Sequence, residues 1–178
     1  PQNTAFGDSR PGGAIDIRTA EPTAETSAYV GASLGNHSMK ELQFGVSTPL
    51  GNDLYLGFDA LWHDRDGFYD NTATGDSYGD KRALAGKVRL SWRPSAETQL
   101  DLFVQHERFR DQSDPFIPLS QLGTEPHKVS YNDPGREDIG QDLIALRARQ
   151  SFDGFDLLAV TSYRRSTWEF LNDGDMGA

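Results

Sequence analysis

Two runs of alternating character constrain this chain more than any other feature. The first is Leu54-Tyr55-Leu56-Gly57-Phe58-Asp59-Ala60-Leu61-Trp62; the second is Leu84-Ala85-Gly86-Lys87-Val88-Arg89-Leu90-Ser91-Trp92. Leu54, Leu56, Phe58, Ala60 and Trp62 share one parity, and so do Leu84, Gly86, Val88, Leu90 and Trp92. Lys87, Arg89 and Ser91 fall between the latter. A strand turns alternate side chains to opposite faces, so each run makes a strand with one apolar and one wet face.

The same rule is repeated along the chain. Strands are expected at 28–34, 41–48, 53–64, 82–92, 98–109, 142–152 and 155–170. Leu42, Phe44 and Val46 alternate with Glu41, Gln43 and Ser47; Leu100, Leu102 and Val104 with Gln99, Asp101, Gln105 and Glu107; Ile144, Leu146 and Ala148 with Arg147 and Arg149. The last strand is less regular, because Leu157-Leu158-Ala159-Val160 is apolar on both parities. The connections alternate in length. Residues 49–52, 93–97 and 151–155 are tight turns rich in Pro, Gly, Asn and Asp. Residues 65–81 and 110–140 are long polar loops, and 35–40 is the short exception on their side.

Strands of about ten to thirteen residues exceed the five or six usual in water-soluble sheets. They match the nine to eleven that a tilted strand needs to cross a bilayer. Short turns on one rim and long loops on the other are the habit of outer-membrane barrels. Trp62 falls at the long-loop end of its strand and Trp92 at the short-turn end of the next, where two membrane interfaces would lie. No run of about 18 apolar residues exists, so a membrane-spanning helix is excluded, whereas a β-barrel is not.

Composition removes several functions. A formal net charge of -10 argues against a nucleic-acid partner, which calls for a basic stripe. There is no cysteine, hence no disulfide, thiol catalysis or cysteine-ligated zinc. The histidines His37, His63, His106 and His127 lie on separate elements without ligand spacing, so no metal site and no cofactor are read. Asp64-Arg65-Asp66-Gly67 starts like a calcium loop but lacks the later ligands and the closing Glu. No serine sits in a nucleophile elbow, and Asp173 and Asp175 pair only within a polar terminal run. No catalytic residue is assigned, and the chain is read as a non-enzyme.

The lead, residues 1–24, holds Pro1-Gln2-Asn3-Thr4-Ala5-Phe6-Gly7 and then Gly12-Gly13-Ala14-Ile15-Asp16-Ile17-Arg18-Thr19. It resembles the end of the plug domain of TonB-dependent outer-membrane receptors, in which Pro-Gln-Gly-x-x-x-Gly precedes Gly-Gly-x-Ile-Asn-Ile-x-Thr. Asn3 and Asp16 are mild departures. The hairpin 41–64, the loop entry Asp66-Gly67-Phe68-Tyr69-Asp70-Asn71 and Val160-Thr161-Ser162-Tyr163-Arg164 are also similar to that family.

The resemblance implies an all-β fold: an antiparallel up-and-down meander forming part of a transmembrane barrel of about 22 strands with a plug remnant. Residues 1–24 would be the end of the plug and a linker, and 25–178 about seven barrel strands. It further implies a bacterial outer-membrane receptor that imports a scarce nutrient, most often a ferric siderophore. Its partners would be outer-membrane lipid, the ligand and the TonB complex, whose contact motif is not in this chain. Both ends look cut, so a piece of a longer protein is expected; an open seven-strand sheet would leave two free edges, so either the protein is longer or the structure shows an open, curved sheet. The rival reading is a soluble β-sandwich or small barrel that binds carbohydrate or another ligand.

Two groups of residues are candidates for binding. Phe68, Tyr69 and Tyr78 in one long loop, and Phe116, His127 and Tyr131 in the other, have side chains able to stack on a siderophore or haem, or to pack the loops. Lys87, Arg89, Arg147 and Arg149 lie on the polar parity with Asp59, Asp101 and Glu107, where they would line a hydrated lumen or pair across strands.

Overall fold

A computed structural model describes residues 20–117, 119, 123–133 and 135–174. The plug-end motif lies outside them. Among the described residues ten strands are present: β1 (Ser27–Leu34), β2 (Lys40–Gly51), β3 (Leu54–Arg65), β4 (Tyr69–Asn71), β5 (Ser77–Tyr78), β6 (Lys81–Trp92), β7 (Thr98–Asp111), β8 (Lys128–Val129), β9 (Arg136–Phe152) and β10 (Phe155–Leu171). Seven of them form one sheet in the order β1-β2-β3-β6-β7-β9-β10, each antiparallel to its neighbours. This is the expected meander, open at β1 and β10.

The turns follow from local chemistry. Asn52 and Asp53 both take positive φ, 48° and 60°, between Gly51 and Leu54. Two successive left-handed residues make the hairpin turn whose twist suits antiparallel strands, and Asn and Asp tolerate it best after glycine. Gly154 (φ 93°) supplies a left-handed residue in the turn between β9 and β10, where Phe152 and Phe155 stack 4.8 Å apart.

Two expectations need correction. Strand β9 begins at Arg136, six residues before the expected start at 142, and pairs with β7 up to Asp111–Glu137. Its first residues carry charge instead of an apolar alternation, so periodicity misses them. Cross-strand ion pairs hold them: Asp138 accepts from Arg108 at 2.7 Å and Glu169 from Arg136 at 3.0 Å. Nor are the long loops structureless. Strands β4, β5 and β8 form a second sheet of their own.

The faces of the large sheet are inverted relative to a soluble protein. Its apolar parity is exposed: Leu102 by 37%, Phe44 by 43%, Leu84 by 53% and Ile144 by 52%. The opposite parity carries the buried charges Arg89 and Asp101. Among the described residues no second sheet covers the apolar side.

That apolar side is a slanted band. The register links Leu34 to Lys40, Asp64, Arg82, Arg110, Asp138 and Glu169, from β1 to β10. On β1 the apolar residues Ala28, Val30, Ala32 and Leu34 reach that row. On β10 the band reaches only Tyr163, three same-face positions lower, with Arg165 next. A fall of about 20 Å across six strand steps of about 4.8 Å gives a tilt of roughly 35°. Barrel strands in outer membranes tilt by roughly 35–45°. Trp62 and Trp92 lie on this face at the two ends of the band.

Candidate functional site

Two regions converge side chains able to hold a ligand or a partner: the knitted outer loops and the polar face of the sheet.

The loops meet through Asn71 at the end of β4. It is 4% exposed, yet its side chain is fully used. Its Nδ2 donates to the Tyr131 carbonyl at 2.8 Å, while its Oδ1 accepts from the backbone N–H of Tyr131 at 3.0 Å and of Ala73 at 3.2 Å. This fixes β4 beside β8 in parallel, with Asp70 opposite Lys128 and Asn71 opposite Val129. Beneath lies a small core of Tyr78, Val129 and Tyr131, the two tyrosine rings 4.9 Å apart. The Tyr78 hydroxyl pairs with Ser113 Oγ at 2.7 Å, and Ser113 donates to Asn172 beyond β10. Burial pushes the Tyr78 hydroxyl up in pKa. Tyr131 Oη accepts from the Phe116 N–H and donates to the Phe116 carbonyl. Gly67 is obligatory in this packing: a Cβ there would collide with the Tyr78 backbone.

Of the six loop aromatics, then, Tyr78 and Tyr131 are 0% and 2% exposed and serve as the internal support. The other four reach the surface. Phe68 stacks on Tyr69 at 4.4 Å, and His37 and His127 approach its ring at 6.3 Å each. Arg65 lies over the Phe68 ring at 5.2 Å. Phe116 is 57% exposed. His37 was not singled out from sequence. It joins because its carbonyl accepts the Asp66 N–H at 2.9 Å, a contact between loops that no local pattern reveals.

Asn71→Ala leaves the buried Tyr131 N–H and carbonyl without partners. We expect a local loss of about 1–3 kcal/mol, read as faster amide hydrogen exchange at 69–78 and 127–131 with the large sheet unchanged.

The polar face carries all four sequence candidates, since Lys87, Arg89, Arg147 and Arg149 share one side of the sheet. Lys87 pairs with Asp59 at 3.2 Å, which also accepts from the Tyr29 hydroxyl at 3.1 Å. Arg149 is exposed. Arg89 and Arg147 converge on Asp101, a residue 0% exposed, at 3.1 and 2.8 Å. Ser91 and Gln99 complete the carboxylate's shell. Arg89 also lies over Phe103, 4.8 Å from its ring centre.

Glu21 was also missed. It comes from the lead and accepts from Arg89 at 2.9 Å, Arg147 at 3.0 Å and Arg93 at 3.1 Å. Burial alone would raise its pKa, but hydrogen bonds from Arg89 and Arg147 hold the carboxyl below its ordinary value. Of the histidines on this sheet, His63 faces Glu41 at 3.1 Å and His106 faces Asp142 at 2.7 Å. Apart from His37 and His127 at Phe68, histidines do not converge in the described residues.

No protein-family model matches the chain. It is 26% identical over 159 residues to the metal-pseudopaline receptor of Pseudomonas aeruginosa, covering 86% of this chain and 22% of that protein. To the pesticin receptor of Yersinia pestis it is 27% identical over 137 residues, covering 75% of this chain and 20% of that protein. In structure it is similar to the ferric yersiniabactin uptake receptor of Yersinia pestis, with a TM-score of 0.76 and 20% identity, over 85% of this chain and 25% of that one. The chain thus spans about a fifth of the length of the curated relatives it matches. The relatives are receptors, the resemblance to TonB-dependent outer-membrane receptors stands, and the fold is that of their barrel wall.

Proposed function

We propose that this chain is wall, linker and outer rim of an outer-membrane receptor that binds a metal complex, a ferric siderophore first among the candidates. On this reading the complex is imported by TonB-coupled transport. The observation that carries the reading is the slanted, exposed apolar band backed by a face of buried and paired charge. Such a sheet suits lipid on one side and a hydrated lumen on the other. It is unsuited to a soluble β-sandwich, whose apolar face would need a second sheet.

The division of labour follows from exposure. Phe68, Tyr69, His127 and Phe116, with His37 and Arg65, would offer a ligand aromatic faces and one cation on the outer rim. Tyr78 and Tyr131 would hold that rim rigid from below. Lys87, Arg89, Arg147 and Arg149 would line the lumen. Residues 1–24 would be the end of the plug with its linker. The chemistry is recognition and passage, with no covalent step.

The test is binding and uptake by the intact receptor, using a panel of ferric siderophores, haem and cobalamin. We expect one ferric siderophore to bind, and Phe68→Ala to weaken it by about tenfold, since losing one aromatic stacking partner is worth about 1–1.5 kcal/mol. Tight binding of a non-iron ligand only would remove the iron assignment and leave the receptor reading in place.

A further inference from the structure

The outward face of the large sheet carries charge at one end only. Below the top of the apolar band, its parity holds no charged strand residue among the described residues. At the short-turn edge it offers Trp92, Phe152 and Phe155 instead. At the long-loop edge stand six cations, Lys40, Arg82, Arg108, Arg110, Arg136 and Arg165. Four carboxylates share their level: Asp64, Asp138, Asp142 and Glu169. Six against four leaves a positive surplus of two, in a chain whose net charge is -10.

The cations follow the slant of the band. Lys40 is the next same-face position beyond Leu42, Arg82 beyond Leu84 and Arg165 beyond Tyr163. Pairing between neighbouring strands would require neither a surplus nor a common level. Charge sorted to one edge of an apolar band matches an interface whose headgroups are anionic.

Four of the arginines also enclose a space. Arg82, Arg108, Arg110 and Arg136 line a cleft of about 710 Å³ at the loop ends of β6, β7 and β9. The carboxylates of this cleft already have donors. Asp138 accepts from Arg108 Nε and Nη2 at 3.1 and 2.7 Å, Asp111 pairs with Lys81, and Asp80 and Asp133 accept the N–H groups of Gly67 and Gly135. Arg82, Arg110 and Arg136 remain more than half exposed, so their forks of N–H donors are open to a further acceptor. A second groove, of about 380 Å³, shares Arg82, Arg108 and Arg110 and continues along Trp62 and Leu84 into the apolar band.

We propose that this edge is a docking site for a lipid with a phosphate monoester headgroup. The phosphate lies in the arginine cleft, and an acyl chain lies in the groove against Trp62 and Leu84. A phosphate presents several charged oxygens to converging guanidinium forks, which suits it to this cleft better than a single carboxylate. The apolar continuation selects an amphiphile over a free anion, and the uncharged opposite edge assigns the lipid to the leaflet on the loop side. The proposal rests on the membrane reading of this face.

The test titrates the intact receptor, in detergent micelles, with phosphatidic acid and with phosphatidylcholine of the same chains. Native mass spectrometry reads the bound lipid. Phosphatidic acid is expected to bind about tenfold more tightly or better, and Arg110→Gln and Arg165→Gln each to weaken it by about fivefold. Arg110→Lys, which keeps the charge, loses less than Arg110→Gln. Arg164→Gln, adjacent to Arg165 but on the inner face, leaves the binding unchanged. Equal affinity for the two lipids overturns the proposal, and so does a loss in Arg164→Gln equal to that in Arg165→Gln. Displacement of phosphatidic acid by an equal concentration of inorganic phosphate also overturns it, since the site then holds a free anion. A receptor that retains neither lipid overturns the membrane reading of the face, and the docking site with it.

Discussion

Replacing Asp101 with alanine is expected to cost about 3–5 kcal/mol, the largest loss of any single polar substitution on the inner wall. The carboxylate is fully buried and receives Ser91, Gln99, Arg89 and Arg147. Its removal leaves two guanidinium groups with one shared partner, Glu21, which is itself 46% exposed. The comparison is Asp59→Ala, whose partner Lys87 is 30% exposed and can turn to water. That change should cost no more than about 1 kcal/mol. Urea unfolding of the intact receptor in lipid vesicles, followed by tryptophan fluorescence, measures both. Equal losses at the two sites would show that the Arg89–Asp101–Arg147 cluster is not the hub of this wall.

The second large effect concerns the opposite face. Leu102 sits near the middle of the apolar stretch of β7, outward and 37% exposed. On the proposed receptor reading, Leu102→Arg would place a cation at the centre of the hydrocarbon layer, at a cost of about 2–4 kcal/mol. Gln105→Arg, on the inner parity of the same strand, is expected to change stability by less than about 1 kcal/mol, since it enters a hydrated, charged face. Folding into vesicles and heat-modifiability on gels would separate them. If Leu102→Arg behaves like Gln105→Arg, the band does not face lipid and the membrane assignment falls.

Much of this architecture can be read from residues alone. The seven strands of the large sheet were legible, five of them from a period of two and the last from its β-branched and aromatic content. The open sheet followed from the resemblance, which gives this chain about seven of about 22 barrel strands. Local signals failed where a contact joins distant segments. Arg136, Glu137 and Asp138 read as loop because charge hides the strand period. The pairing of β4 with β8 joins residues nearly sixty apart, through the Asp70 N–H to the His127 carbonyl, the Thr72 N–H to the Val129 carbonyl and the Asn71 side chain. Tyr78 and Tyr131 looked no different from Phe68 and Tyr69, since an aromatic side chain carries no mark of being above or below a loop.

The two alternating runs at 54–62 and 84–92 by themselves determined strands, their parity and the order in which neighbours pair, for all three follow from local periodicity and turn length. Which parity is left exposed and which holds the buried charges, which aromatics remain at the surface, and the convergence of Glu21 with Arg89, Arg93 and Arg147 were decided only in the tertiary structure. The reason is physical: burial and ion pairing depend on where separate segments meet, and alternation in one segment fixes a face without saying what stands opposite it.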